Sequence, residues 1–293
     1  MPDDSVDAPR GTGIPYWYAI LTGLTKEVSK ESDHVTEIAG NQQSARIKVF
    51  WQPGCTSCLR VKEFLASQGI EFESIDVHND EKGLAQLTEL GARSVPVVAL
   101  GGNYTLAQSL NDVIRFLDLK TGTMEMLSPR DLFAKLDLVL ATASRLAGQL
   151  SEEQLRSVFR NRNRTVAALV FHIVRVAEMG LQAARQIELK FEGFNDLPPE
   201  DWGRDDLVRW AEEIRQKVLA WSRDETEPTL AYAVPTYYGQ RPMHEVLERT
   251  AWHAAQHTRQ LALILESHGI EPDRPLSAAD LAGLPVPEEV WDR

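Results

Sequence analysis

The pattern of the chain changes character near residue 120. Between about residues 45 and 119, short apolar runs alternate with helical stretches: strand 46–51, helix 56–68, strand 71–77, helix 80–91, strand 96–100, a short strand near 103–106 and helix 109–119. Strands alternating with helices specify an α/β layer structure. Gly91 and Gly101-Gly102 punctuate it where turns are expected. After Lys120-Thr121-Gly122-Thr123 the strands stop, and long helical stretches follow at about 129–150, 163–188, 204–223 and 242–267. Four helices of this length make an all-α antiparallel four-helix bundle the natural architecture. With 293 residues there is room for two cores, so the expected fold is an α/β domain followed by a bundle.

Local signals sharpen the bundle. Ser128 is placed to cap a helix, with Pro129 as its first residue and Asp131 in its first turn. Val166, Leu169, Val170, Ile173, Ala177 and Leu181 recur at helical spacing, so one stripe of that helix is buried. The expected organisation is a partly disordered extension over 1–44, an α/β domain over 45–120, a linker over 121–128, the bundle over 129–270 and a tail over 271–293. Within the extension, the aromatic-rich stretch 14–21 is expected to pack back on the protein.

Charge and hydropathy narrow the partners. A formal charge of -12, with 43 acidic against 31 basic residues, argues against a nucleic-acid surface. No apolar run reaches the roughly 18 residues of a membrane span, and the acidic start Met1-Pro2-Asp3-Asp4 is unlike a secretory signal. The expectation is a cytoplasmic protein; a homodimer is compatible with it.

Cys55 and Cys58, the only cysteines, stand in Cys55-Thr56-Ser57-Cys58 directly after the apolar run 47–51. Half of a zinc site, an inert core pair and a redox centre are the three readings. A strand-to-helix turn favours the last, because unpaired helix N–H groups stabilise a thiolate. Arg60 and Lys62 add positive charge to the same helix.

The stretch Lys48–Lys62, with Ile70-Glu71-Phe72, Ile75-Asp76-Val77 and Ser94-Val95-Pro96-Val97-Val98, resembles a glutaredoxin of the thioredoxin fold. The resemblance implies that Cys55 is the nucleophile and Cys58 the resolving thiol. It also implies that Pro96 is cis and that the backbone of Val95 pairs with a bound thiol. Thr56 replaces the usual proline, and Gly101-Gly102 are followed by Asn103 rather than an acidic residue. These departures weaken the case for glutathione itself and leave the partner open between a low-molecular-weight thiol, glutathione or an analogue, and a protein disulfide, with small thiols and disulfides as the expected partners.

Four of the seven histidines lie between residues 172 and 257. His253 and His257, four apart on a helix, fall about 40° apart on one face, where two imidazoles can share an ion. His244 falls on about the opposite face. His172, inside the apolar stripe, reads as a hydrogen-bonded core residue if isolated and as a third ligand if it faces that pair. Three converging neutral imidazoles form a divalent-metal site with positions open to water or substrate.

Residues 163–172 and Thr250–Leu261, with His-x3-His running into Arg259-Gln260-Leu261, resemble the DinB-like family of four-helix metal-binding proteins. The resemblance implies that His172, His253 and His257 hold zinc, nickel or iron in a transferase or isomerase that uses a low-molecular-weight thiol. Tyr237 and Tyr238 precede the last helix as candidate proton donors. The sequence thus points to a thiol-disulfide oxidoreductase coupled to a metal-dependent, thiol-using domain. A redox- or metal-sensing binding module without turnover is the alternative.

Overall fold

The computed structural model describes residues 46–160 and 164–291. The expected extension over 1–44, its apolar stretch at 14–21 and residue Asn163 lie outside them. Strand β1 (Ile47–Trp51) is internal to a four-stranded sheet of order β2-β1-β3-β4, with β2 at Glu73–Asp76, β3 at Val97–Leu100 and β4 at Asn103–Leu106. It runs parallel to β2, with Phe50 opposite Ile75, and antiparallel to β3, with Phe50 opposite Val97. Alternation along the strands feeds two cores. Val49 and Val98 pack with Val61 and Leu65 of helix α1 (Thr56–Ser67) and Val113 of α3 (Leu110–Phe116). Phe50, Val97 and Ala99 pack with Leu87 of α2 (Glu81–Glu89) on the other face. This is the thioredoxin-like layer the sequence implies, and the Val95-Pro96 peptide bond is cis.

Helices α4 (Pro129–Ala147), α5 (Glu152–Arg156), α6 (Val166–Ala184), α7 (Arg204–Asp224) and α8 (Met243–Ser267) follow. The Ser128 cap is the one expected, its hydroxyl accepting from the Asp131 N–H, whereas Thr165, inside the stretch expected to be helical from 163, caps α6 and accepts from the Ala168 N–H. Both α4 and α6 pack on α7 and α8, so these four long helices form the bundle with α4 and α6 across its diagonal. By length and composition, helix α6 holds an 18-residue window apolar enough to cross a membrane, where the chain was expected to hold no such run. In the structure 78% of that window is buried.

Strands do not stop at residue 122. A hairpin of β5 (Ala233–Thr236) and β6 (Gly239–Pro242) precedes α8. Its pattern is masked in the sequence because Pro235 sits inside a four-residue strand, which demotes it as a strand signal. Two residues, Tyr237 and Tyr238, form the tip. Residues 271–291 also fold back, through a short helix α9 (Ala278–Leu281), burying Leu284 and Trp291 against the bundle.

The α/β layer and the bundle meet along α1 and α8. Trp252, fully buried, lies beneath the Arg60 guanidinium at 4.0 Å, a cation–π contact that contributes about 2 kcal/mol where water is excluded. Arg60 Nη2 also donates to the Gln108 carbonyl at 2.8 Å. The Glu63 carboxylate accepts from the N–H groups of Glu288 and Glu289 at 2.6 and 3.0 Å, and Arg241 pairs with Asp112 at 2.8 Å. The seam therefore has charged, aromatic and backbone anchors.

Gly180 on α6 fixes how closely α8 approaches, since a Cβ there would lie 2.9 Å from Thr250 Oγ1. Gly180→Leu should lower stability by about 1–3 kcal/mol through overpacking, read as a reduced urea midpoint with an unchanged slope. A neutral result would show that the crossing yields freely.

A candidate thiol and metal centre in one cavity

Cys55 is the N-cap of α1, and its Sγ accepts from the Cys58 N–H at 3.2 Å. Gly54, at φ +83, makes the left-handed turn that brings the chain off β1 into this cap, a conformation a side chain would strain. Cys55 and Cys58 are joined as a disulfide with Cα atoms 5.2 Å apart. Cys58 is buried in the sheet core and Cys55 is only partly exposed. Thus one sulfur can be reached and the other stands behind it.

Arg60 and Lys62, expected as charge near the thiol, are placed otherwise. Arg60 is 4% exposed at the α1–α8 seam, and the Lys62 ammonium lies 3.7 Å over the Trp51 ring. Neither lines the cavity in front of Cys55.

Three imidazoles converge in the bundle, all nearly buried, with ligand atoms within 4.8 Å of one another. His253 Nε2 lies 3.5 Å from His172 Nε2 and 3.1 Å from His257 Nε2. Nitrogens about 2.0–2.1 Å from one tetrahedral ion would stand about 3.3 Å apart, so the spacing fits a divalent cation. The tautomer of His257 fits as well. The Gln260 Nε2 donates to the Val290 carbonyl at 2.9 Å, which directs Gln260 Oε1 at His257 Nδ1, 2.7 Å away. An amide oxygen only accepts, so the His257 proton is on Nδ1 and its Nε2 presents a lone pair.

Burial pushes the His172 and His253 pKa values well below the usual histidine range, with neighbouring cationic groups adding to the effect. Both are therefore neutral at pH 7, the form that binds metal. His244 stands apart: its Nε2 is 2.7 Å from the Leu127 carbonyl and helps anchor the start of α8.

The cysteine motif and the histidines share one cavity of about 370 Å³. Gly54, Cys55 and Thr56 form part of its wall, as do Val95, His172, His253 and His257. The Val95 carbonyl is engaged by Gln108 Nε2 at 3.2 Å. Tyr237 lines the cavity, with its hydroxyl accepting from Arg249 Nη2 at 3.2 Å. Burial pushes the Tyr237 phenol up to about 12 even beside that cation, so it keeps its proton. Tyr238 is buried beside Arg241 and is not part of the lining.

Arg249, Gln260, Gln108 and Trp291 were not singled out from the sequence. For two of them a signal existed: Arg249 and His253 are four apart, as are His253 and His257, so all three share one face of α8, and Gln260 follows His257 at i+3. Gln108 and Trp291 come from distant segments, and no local pattern marks them.

Residues 47–105 match the glutaredoxin family model, and residues 135–261 match that of the DinB superfamily. The gene 56 protein of Mycobacterium phage L5 is 42% identical over 55 residues, covering 18% of this chain and 53% of the phage protein, so the chain spans about half the length of that relative. A glutaredoxin-like 8.6 kDa protein of the Clostridium pasteurianum rubredoxin operon is 29% identical over 73 residues, covering 25% of this chain and 97% of its own length. Among solved structures, YfiT from Bacillus subtilis, described as a probable metal-dependent hydrolase with an unusual four-helix bundle topology, is 14% identical. It covers 51% of this chain and 94% of its own, at a TM-score of 0.40. On the two family matches, the chain joins a glutaredoxin-like α/β domain to a DinB-like helical bundle.

Proposed function

We propose that the protein is a thiol-disulfide oxidoreductase whose Cys55 works in the same cavity as a three-histidine divalent-metal centre, on a low-molecular-weight thiol and its disulfides. The observation that carries this reading is the shared cavity: Cys55, His172, His253 and His257 all line it. The functional units are taken as residues 45–120 and 129–270, with the reducing cytoplasm as the setting that keeps the cysteine pair available.

In the reduced protein, the Cys55 thiolate is favoured by its place at the start of α1. It attacks a disulfide RS–SR, forming a Cys55–SR bond and releasing RS⁻. The Cys58 thiolate then attacks the Cys55 sulfur, closes the Cys55–Cys58 disulfide and releases the second RS⁻. Two electrons pass from the cysteine pair to the substrate, and two equivalents of a small thiol restore the pair.

His172, His253 and His257 would hold zinc, nickel or iron, and the ion would lower the pKa of a thiol brought to it. The chain's own residues do the rest. Gln260 fixes the His257 tautomer, the apolar walls Leu169, Phe194 and Ile264 exclude water, and Tyr237 keeps a proton available at its hydroxyl.

Protein purified without chelator should carry a divalent metal by elemental analysis, and His253→Ala should lose it. Gln260→Ala should weaken metal affinity about 10–100-fold, as loss of an outer-shell partner does, in a competitive chelator titration. Absence of metal from the unaltered protein would end the metal reading. In metal-free protein, the depressed His172 and His253 pKa values mean that the unfolded chain binds more protons. Their contribution to stability is present above the unfolded value near pH 6.5 and is lost as pH falls through the folded values. The urea midpoint should therefore drop below pH 6.5, and less steeply in His253→Leu.

Cys55→Ser should abolish reduction of a small disulfide. Cys58→Ser should accumulate a mixed disulfide on Cys55, visible as added mass. Coupling predicts that His253→Ala slows exchange at Cys55 at pH 7 without changing the fold; an unchanged rate would separate the two sites.

A further inference from the structure

The cavity shared by Cys55 and the histidines has a charge pattern that the exchange chemistry does not explain. Arg164 and Arg249 both line it, and among the described residues no aspartate or glutamate does. Arg249 is 5% exposed, and its hydrogen bonds go to neutral groups: Gln108 Oε1 at 3.3 Å and the Tyr237 hydroxyl at 3.2 Å. Its guanidinium lies 4.7 Å from the centre of the Phe194 ring. Arg164 Nη2 donates to the Phe194 carbonyl at 3.2 Å, again a neutral partner. Among the described residues neither arginine forms an ion pair.

Two guanidinium groups at one cavity, Arg249 buried and Arg164 half-buried, with no counter-charge among the described residues, oppose folding by their desolvation. The chain as a whole has an excess of acid, 43 residues against 31 basic ones, so unpaired arginines here do not follow from composition. Burial already pushes Arg164 down to about 10, the direction expected of a cation without its anion. A metal ion on the three histidines would add further positive charge to the same space.

We propose that Arg164 and Arg249 bind the carboxylate of a peptide-like small thiol and hold its sulfur end between Cys55 and the histidines. A guanidinium fork matches a carboxylate. Gln52 and Asn195 line the same cavity and offer amides to an amide backbone, which suits an amino-acid-derived thiol. The assignment deepens the thiol-handling reading of the cavity and rests on it for the position of the sulfur. The carboxylate site itself is a separate measurement.

The probe is N-acetyl-S-methylcysteine against its methyl ester. Both are thioethers that cannot exchange with the Cys55–Cys58 disulfide, and they differ at the carboxyl group alone, a charged carboxylate in one and a neutral methyl ester in the other. Affinities are read by titration calorimetry on the full chain, metal-loaded and after chelator treatment. The acid should bind at least tenfold more tightly than the ester in both forms. Arg164→Gln and Arg249→Gln should each reduce the preference to threefold or less, and Arg249→Lys should keep most of it. Circular dichroism melting identifies any variant that fails to fold; should Arg249→Gln do so, Arg164→Gln reads the same preference. Equal binding of acid and ester by the unaltered protein overturns the proposal. So does a preference that survives in both glutamine variants, or one that vanishes with chelator alone, which would put the carboxylate on the metal. Cys55→Ser should keep the preference while losing disulfide reduction, so failure of the redox reading is distinguishable from failure of this one.

Discussion

The contact between α1 and α8 is the constraint on which the site depends. Trp252 on α8 is sealed beneath Arg60 of α1, and His253 follows it in the chain. A helical step of about 100° turns adjacent residues to different sides, so one residue of the pair serves the seam and the next serves the cavity. At the other end of the seam α1 begins at Cys55, the residue that caps it. A single packing contact thereby sets where sulfur and imidazole stand relative to each other. The hydrogen bonds from Glu288 and Glu289 to Glu63 brace the same seam from the C-terminal segment.

Burial works in two directions at this site. It keeps His172 and His253 neutral and so ready to donate lone pairs, and it keeps Tyr237 protonated. The same burial leaves Arg164 and Arg249 as cations with only neutral partners. Neutral imidazoles call for a cation and unpaired guanidiniums call for an anion. A small thiol carrying a carboxylate satisfies the second demand while offering sulfur to the rest of the cavity.

The segments that complete the cavity are those with the weakest sequence signals. The hairpin tip places Tyr237 against Arg249, and the returning C-terminal segment supplies Trp291 and the Val290 carbonyl that orients Gln260. The hairpin is short and contains Pro235, and the returning segment is mostly irregular, held by side-chain bonds from Gln256, Arg259 and Gln260 to its carbonyls. Such elements take their shape from what they pack on rather than from periodicity.

Local chemistry was legible in the sequence. The apolar run 47–51, the Ser128 cap, the Cys55-x-x-Cys58 turn and the His253-x3-His257 face all depend on neighbours within a few positions. That His172 meets that pair was implied by the resemblance of 163–172 and 250–261 to the DinB-like family; tertiary structure alone decided that Arg60 leaves solvent for Trp252, and that Gln108 and Trp291 reach one cavity. These facts join residues separated by tens to hundreds of positions, through packing that no local period encodes. The two cysteines and the three histidines could be named from the chain; their standing in one cavity followed only from how α1 lies on α8.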